Sequence, residues 1–155
     1  MKSNFLMKGL VKITDLFTVT YGVNLELVNL DQCDIDDPDA VPFVSRTENN
    51  NGVAAYVKRI HGFTPNPGHT LSVAGGGSVL STFYQALPYY SGRDLYILAP
   101  IVEMDILEML FHAYCIQLNK YKYNYGRQAN RTLRDILIPE VMPSNFYRAE
   151  HVVLK

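Results

Sequence analysis

The 155-residue chain, 17.6 kDa, has the length of one domain, with a core large enough to need no disulfide or metal staple. A composition of 48% hydrophobic and 19% charged residues excludes a disordered chain. A net charge of −1 and a pI near 6.4 exclude a protein that holds polyanions through bulk charge alone.

Apolar residues at 10, 11, 13, 16 and 17 predict a short helix or helical turn from Leu10 to Phe17. Phe17 to Tyr21 alternates β-branched and aromatic types up to Gly22 and predicts a strand. Leu25 to Leu30 fits either a strand or a helical turn. The acidic run with Pro38 is a loop, and Val41 to Ser45 is a short strand that Pro42 places at a sheet edge or strand start. Glu48-Asn-Asn-Asn-Gly52 reads as a turn, because Asn and Gly tolerate positive φ, and Val53 to Val57 completes a hairpin. Gly62 to Gly68 is a loop by its glycines and prolines. Further strands are expected at His69–Val73, Ser78–Tyr84 and Leu95–Leu98, separated by Gly75-Gly76-Gly77 and by Pro88 to Asp94. The strongest helical signal runs from Glu103 to Asn119, where Leu107, Leu110, Phe111, Tyr114 and Leu118 form an apolar stripe. Glu103, Asp105 and Glu108 suit its N-terminal end, and Lys120 and Lys122 the other. A helical turn at Asn130–Asp135 and a strand at Ile136–Ile138 close the pattern. Strands first and one principal helix later predict an α+β fold: a curved, mainly antiparallel or mixed sheet with one long helix. No repeat or linker divides the chain, so one domain is expected over 1–155, with its core at about 10–139 and a tail at 140–155.

Several function classes fall away. Cys33 and Cys115 are too few for a disulfide framework and match no zinc spacing. The N-terminal MKSNFLMKGLVK lacks a signal peptide's apolar run, and no stretch of about eighteen apolar residues offers a membrane span. A cytoplasmic protein is the expectation. His61, His69, His112 and His151 stand at no ligand spacing and read as structural or surface residues. Nucleophile-elbow, metalloprotease and phosphate-loop motifs are missing, so no cofactor or metal is expected. Gly75-Gly76-Gly77 could present backbone N–H groups to a phosphate, but a strand rather than a helix follows it; a tight turn or bulge is the better account.

The near-neutral total conceals a polarised chain. Asp31, Asp34, Asp36, Asp37 and Asp39 put five of the fifteen acids within nine residues. From Met109 to Arg134 there is no acid, while Lys120, Lys122, Arg127, Arg131 and Arg134 give +5. A bare run of this kind is often only a solvated surface. Here it is interleaved with aromatics and amides in Asn119-Lys-Tyr-Lys-Tyr-Asn-Tyr-Gly-Arg-Gln-Ala-Asn130, types that contact phosphates and bases.

The order of blocks is more informative than any one of them. Val41-Pro-Phe-Val-Ser-Arg-Thr47 leads to Asn49-Asn-Asn-Gly52, Leu71-Ser-Val-Ala-Gly-Gly-Gly77 and Thr82-Phe-Tyr-Gln85. Tyr96-Ile-Leu-Ala-Pro100, the helix, Tyr121-Lys-Tyr-Asn-Tyr-Gly-Arg127 and Leu137-Ile-Pro139 follow. This succession resembles the target-recognition domain of DNA specificity subunits in type I restriction-modification systems and their fused type II relatives. The resemblance covers roughly Leu10 to Pro139. It implies a non-catalytic domain that reads double-stranded DNA for a partner methyltransferase or endonuclease. A full specificity subunit carries two such domains on long spacer helices. With one domain, this sequence is expected to be a half-subunit that pairs with another copy, an excised domain, or a relative put to another use.

Within that reading, Arg46, Asn50, Asn51, Gln85, Arg127, Gln128 and Asn130 are the types that read base edges, since Arg suits guanine and Asn or Gln suits adenine. Lys120, Lys122 and Arg131, with Lys58 and Arg59, suit phosphates, and Tyr125 offers a flat face in the same run. Arg46 and Arg127 could equally anchor loops through carbonyl groups. Two competing functions are a small metal-dependent nuclease using the acidic loop and a protein-interaction module on the same fold.

Overall fold

The computed structural model describes residues 9–123 and 129–146. Its first strand, β1 (Leu10–Lys12), pairs antiparallel with the last, β10 (Leu137–Pro139), with Val11 opposite Ile138. The helix expected from Leu10 is therefore confined to α1 (Ile13–Leu16), which buries Ile13 and Leu16. Pairing with a strand more than a hundred residues away overrides the local helical pattern at its first three residues.

Two four-stranded sheets carry the body of the fold. The first has the order β2-β9-β6-β7 and is antiparallel throughout: β2 (Phe17–Tyr21), β6 (Thr70–Ala74), β7 (Thr82–Gln85) and β9 (Leu95–Pro100). The second has the order β3-β5-β4-β8: β3 (Gln32–Cys33), β4 (Ala40–Val44), β5 (Val53–Lys58) and β8 (Tyr90–Ser91), with β4 and β8 parallel. The architecture is α+β, mainly antiparallel, with one principal helix, as the strand-then-helix order predicts. β8 pairs only with Phe43 and Val44, so Pro42 keeps one side of β4 free of a partner strand and its missing N–H breaks no ladder there. Leu25–Leu30 resolves as a 3-10 turn at Leu27–Asn29.

The strand expected from Ser78 begins only at Thr82. Residues 78–81 form a turn in which Leu80 takes φ +64 and donates its N–H to Ala74 O at 2.8 Å. A left-handed leucine costs on the order of 1 kcal/mol. Its side chain is fully buried, which contributes roughly 1.5–3 kcal/mol and outweighs that strain.

α2 (Ile106–Gln117) starts at Asp105, whose Oδ1 accepts the Glu108 N–H at 2.8 Å. The Glu108 carboxylate accepts the Asp105 N–H in return, a capping box that sets the helix start three residues after the expected Glu103. The helix packs on β7 and β6 through Met109, Phe111, His112, Ala113, Cys115 and Ile116, all buried. This corrects the expected stripe: Leu107 and Leu110 are half-buried, and Tyr114 and Leu118 are each 56% exposed. Both faces of α2 are rich in apolar residues, so periodicity alone cannot choose between them. Tyr114 and Leu118 line an apolar groove with Leu10, Val141 and Pro143 instead.

Candidate nucleic-acid interface

The β4–β5 hairpin sets the polarity of the molecule. One end carries the acidic loop, fastened by backbone hydrogen bonds from Lys58 N–H to Asp31 O (2.8 Å) and from Arg59 N–H to Asp39 O (2.9 Å). The other end is the Asn49–Gly52 turn, where Asn50, Asn51 and Gly52 take φ values of +51, +55 and +77. The run Asn-Asn-Gly forms this turn because these types bear the left-handed region with least strain. The two ends lie apart by about five residues of strand, roughly 17 Å. Lys58 and Arg59, expected at phosphates, sit at the acidic end.

Three motifs far apart in sequence meet at the Asn end. Lys120 Nζ reaches Glu48 Oε2 at 3.7 Å, tying the start of the basic segment to the Asn turn. Ala129 N–H donates to Gly75 O at 3.0 Å, tying the far side of that segment to the glycine turn. Ser78 N–H donates to Arg46 O at 3.4 Å, which closes the ring. The glycines are needed for contact. A Cβ on Gly76 would stand 2.9 Å from Arg46 Nη1, and one on Gly77, itself at φ +60, would stand 2.9 Å from Arg46 Cβ. The turn therefore seats the Arg46 side chain, and the tight-turn account of the three glycines is the one the contacts support.

Among the described candidates, several amides and one guanidinium are bonded within the protein. Arg46 Nη1 lies 3.0 Å from Asp94 Oδ2, both side chains about three-quarters covered (27% and 21% exposed). Gln85 is buried; its Nε2 donates to Asn51 O (2.9 Å) and Ser72 Oγ (3.2 Å). That corrects its expected place on the DNA-facing surface: it supports the Asn turn from below, because a buried amide must find internal partners. Asn51 Nδ2 donates to Tyr84 O at 3.1 Å and Asn50 Nδ2 to Val53 O at 3.1 Å, though both residues are exposed. Asn130 is half-buried against the glycine turn. Lys122 and Arg131 are exposed, with Lys122 Nζ 5.8 Å from the Tyr121 ring centre. Tyr125, Arg127 and Gln128 lie outside the described residues.

Sequence reasoning placed Arg134 in the basic run but missed the aromatic partners it has beside this ring, and Arg93. Exposed Arg134 lies over Tyr96 at 5.9 Å, and Tyr96 meets Tyr21 edge to face at 5.3 Å. Burial raises the Tyr96 hydroxyl's pKa, with Arg134 partly opposing it, so this phenol stays protonated at neutral pH. Exposed Arg93 stands next to Asp94. Only Arg134 had a legible signal, the acid-free run.

The other chemical candidates are structural. His69 is held by Tyr84 Oη and Met104 O, each at 2.9 Å. His112 is 2% exposed between Phe17 and Phe111, and burial lowers its pKa to about 4. Burial pushes the Cys115 thiol up to about 11. Among the described residues, no group of three or more His, Cys, Asp or Glu side chains could hold a metal ion. No described helix is long and apolar enough to cross a membrane.

The model of the family described as "Type I restriction modification DNA specificity domain" matches residues 8–137. The chain belongs to this family. Solved structures similar to this specificity domain include the type I restriction-modification S subunit of M. genitalium (16% identity, TM-score 0.62). The HsdS subunit of Thermoanaerobacter tengcongensis (14%, 0.60) is similar too, as is a chain from a study of "complex assembly and conformational transition of the type I R-M system" (15%, 0.62). Each match covers 94% of this chain and 35–37% of the solved one, so the specificity domain spans about a third of those subunits. At these identities the likeness speaks for the fold. No curated protein matches the domain by sequence.

Proposed function

We propose that this domain reads duplex DNA sequence from the Asn end of the β4–β5 hairpin, as the recognition part of a restriction-modification specificity component. The carrying observation is the convergence of the Asn turn, the glycine turn and the acid-free basic segment, fastened by Lys120–Glu48 and Ala129–Gly75. Lys122 and Arg131 attract the phosphate backbone. Asn50 and Asn51, exposed on the turn, offer base edges the amide groups that their bonds to Val53 O and Tyr84 O leave over, Asn130 supports the glycine turn beside them, and Arg127 with Gln128 and Tyr125 belongs to the same basic segment. Gln85 acts beneath the surface. The domain has no catalytic centre in this reading. Methylation and cleavage belong to a partner methyltransferase and endonuclease, met in the cytoplasm, and a second copy or second recognition domain supplies the other half of the target.

Gel shifts of a random duplex library at two salt concentrations, followed by selection of the preferred site, test this directly. Lys122→Gln is expected to lower the log–log salt slope by about 0.9 on every duplex. Arg127→Ala is expected to cost about 1–3 kcal/mol on the selected site and far less on random DNA. Plasmid incubated with the protein and magnesium or manganese is expected to stay intact. Cleavage abolished by Asp36→Ala would favour the nuclease reading, and absence of any duplex binding would sink the proposal.

A further inference from the structure

Asp94 is an acid placed where DNA binding wants none, and it sits in a conformation that needs holding. Its φ is +56, in the left-handed region that a non-glycine residue occupies at a cost. Every part of it is engaged. Its carbonyl accepts the Gly75 N–H at 2.8 Å, its N–H donates to Tyr21 Oη at 2.7 Å, and its carboxylate meets Arg46 at 3.0 Å. Gly75 O in turn accepts the Ala129 N–H, so Asp94 reaches β2, the Arg46 segment, the glycine turn and the entry to the residue 129–134 stretch. The carboxylate packs 3.2 Å from where a Gly76 Cβ would stand, so the turn's bare backbone leaves room for the ion pair.

We propose that Asp94 is a specificity-determining residue of the interface: it holds the Arg46 guanidinium against the glycine turn and keeps that cation off the DNA backbone. A guanidinium on the rim of a basic face would otherwise find phosphates on any sequence, adding affinity without discrimination. Paired with Asp94, Arg46 adds no net charge, and among the described residues the exposed cations left to meet phosphate include Arg93, Lys122, Arg131 and Arg134. Glu48 restrains Lys120 in the same manner at 3.7 Å, though at a more exposed and weaker pair. The inference rests on the proposed DNA-reading function.

The test compares the wild-type chain with Asp94→Asn, Asp94→Gly and the double variant Arg46→Gln/Asp94→Asn. Asn and Gly both accept the positive φ, so one charge is removed by two routes that preserve the turn. Binding to a random-sequence duplex and to the duplex selected by the wild-type chain is measured across a salt series, with melting temperature alongside. Asp94→Asn and Asp94→Gly are expected to bind random duplex more tightly, with a log–log salt slope steeper by about 0.9, one further phosphate contact. The ratio of selected to random affinity is expected to fall. The double variant is expected to return to the wild-type slope. A purely structural role would lower melting temperature and both affinities together with the slope unchanged, and that result would overturn the proposal. So would a steeper slope that persists in the double variant. If the wild-type chain shows no salt-dependent duplex binding at all, the DNA-reading function fails, and this inference with it. Wild-type binding with unaltered variant slopes refutes the role of Asp94 alone.

Discussion

At one end of the β4–β5 hairpin, five aspartates hang from a loop fastened through its backbone. At the other, the segments around residues 46, 75, 94 and 129 are tied together through side chains and backbone, and the acids Asp94 and Glu48 are each paired with a cation. The loop end is fastened to the hairpin through backbone groups, with Asp37 Oδ1 accepting the Asp39 N–H at 2.8 Å within the loop, and its clustered carboxylates repel anions. The Asn end spends Arg46, Gln85 and one Asn51 N–H on internal bonds. The difference teaches that residue type alone does not place a side chain: Arg46 and Gln85, of types suited to reading bases, are bonded into the platform instead.

The largest expected effect tests whether both ends stand on a common core. Ile116→Ala, at a fully buried site of α2, is expected to cost about 2–5 kcal/mol in urea melts, whereas Leu118→Ala on the groove face stays near zero. Comparable losses would mean that the groove face is covered as well and that α2 is not buried on the sheet side only.

Removing the Gln85 amide sharpens the comparison at the basic end. Gln85→Ala is expected to cost about 1–3 kcal/mol of stability, because Ser72 and the Asn51 carbonyl lose a buried donor. Its salt slope on duplex DNA is expected to equal the wild type's. A slope lower by about 0.9 with stability intact would return Gln85 to the surface.

His112 probes the platform by pH. Its folded pKa, about 4, lies below the ordinary 6.5, so the fold favours the neutral ring. Stability is complete above about pH 6.5 and falls as pH drops through the window toward 4. Between pH 7.5 and 5 the loss attributable to this ring is about 2 kcal/mol, read as a shift in urea midpoint. His112→Leu is expected to flatten that part of the profile; an unchanged profile would place the acid sensitivity elsewhere.

Much of this was legible in the sequence, for physical reasons. The Asn-Asn-Gly turn could be read because positive φ restricts residue choice, and α2 because Asp105 and Glu108 cap it. The structural role of the three glycines was also readable. The buried face of α2 was not, since Ile106, Leu110, Tyr114 and Leu118 repeat at the same spacing as the core residues. The conversion of Leu10–Lys12 to a strand depends on a partner at the far end of the chain. Asp94 left no mark at all: it ends an irregular stretch, and its role arises only when Tyr21, Arg46 and Gly75 are folded around it. Order of motifs carried the family; register and side-chain direction carried the site.

The most direct measurement sets charge reversals at the two ends against each other. Lys122→Glu with Arg131→Glu at the Asn end is compared with Lys58→Glu and Arg59→Glu at the acidic end, in duplex binding across a salt series. Both pairs remove the same charge from exposed positions. The account predicts that the first pair abolishes binding at moderate salt and flattens the salt dependence by about two phosphate contacts, while the second leaves both near wild type. Equal losses from the two pairs, or a larger loss from Lys58 and Arg59, would contradict it and move the DNA to the other end of the hairpin.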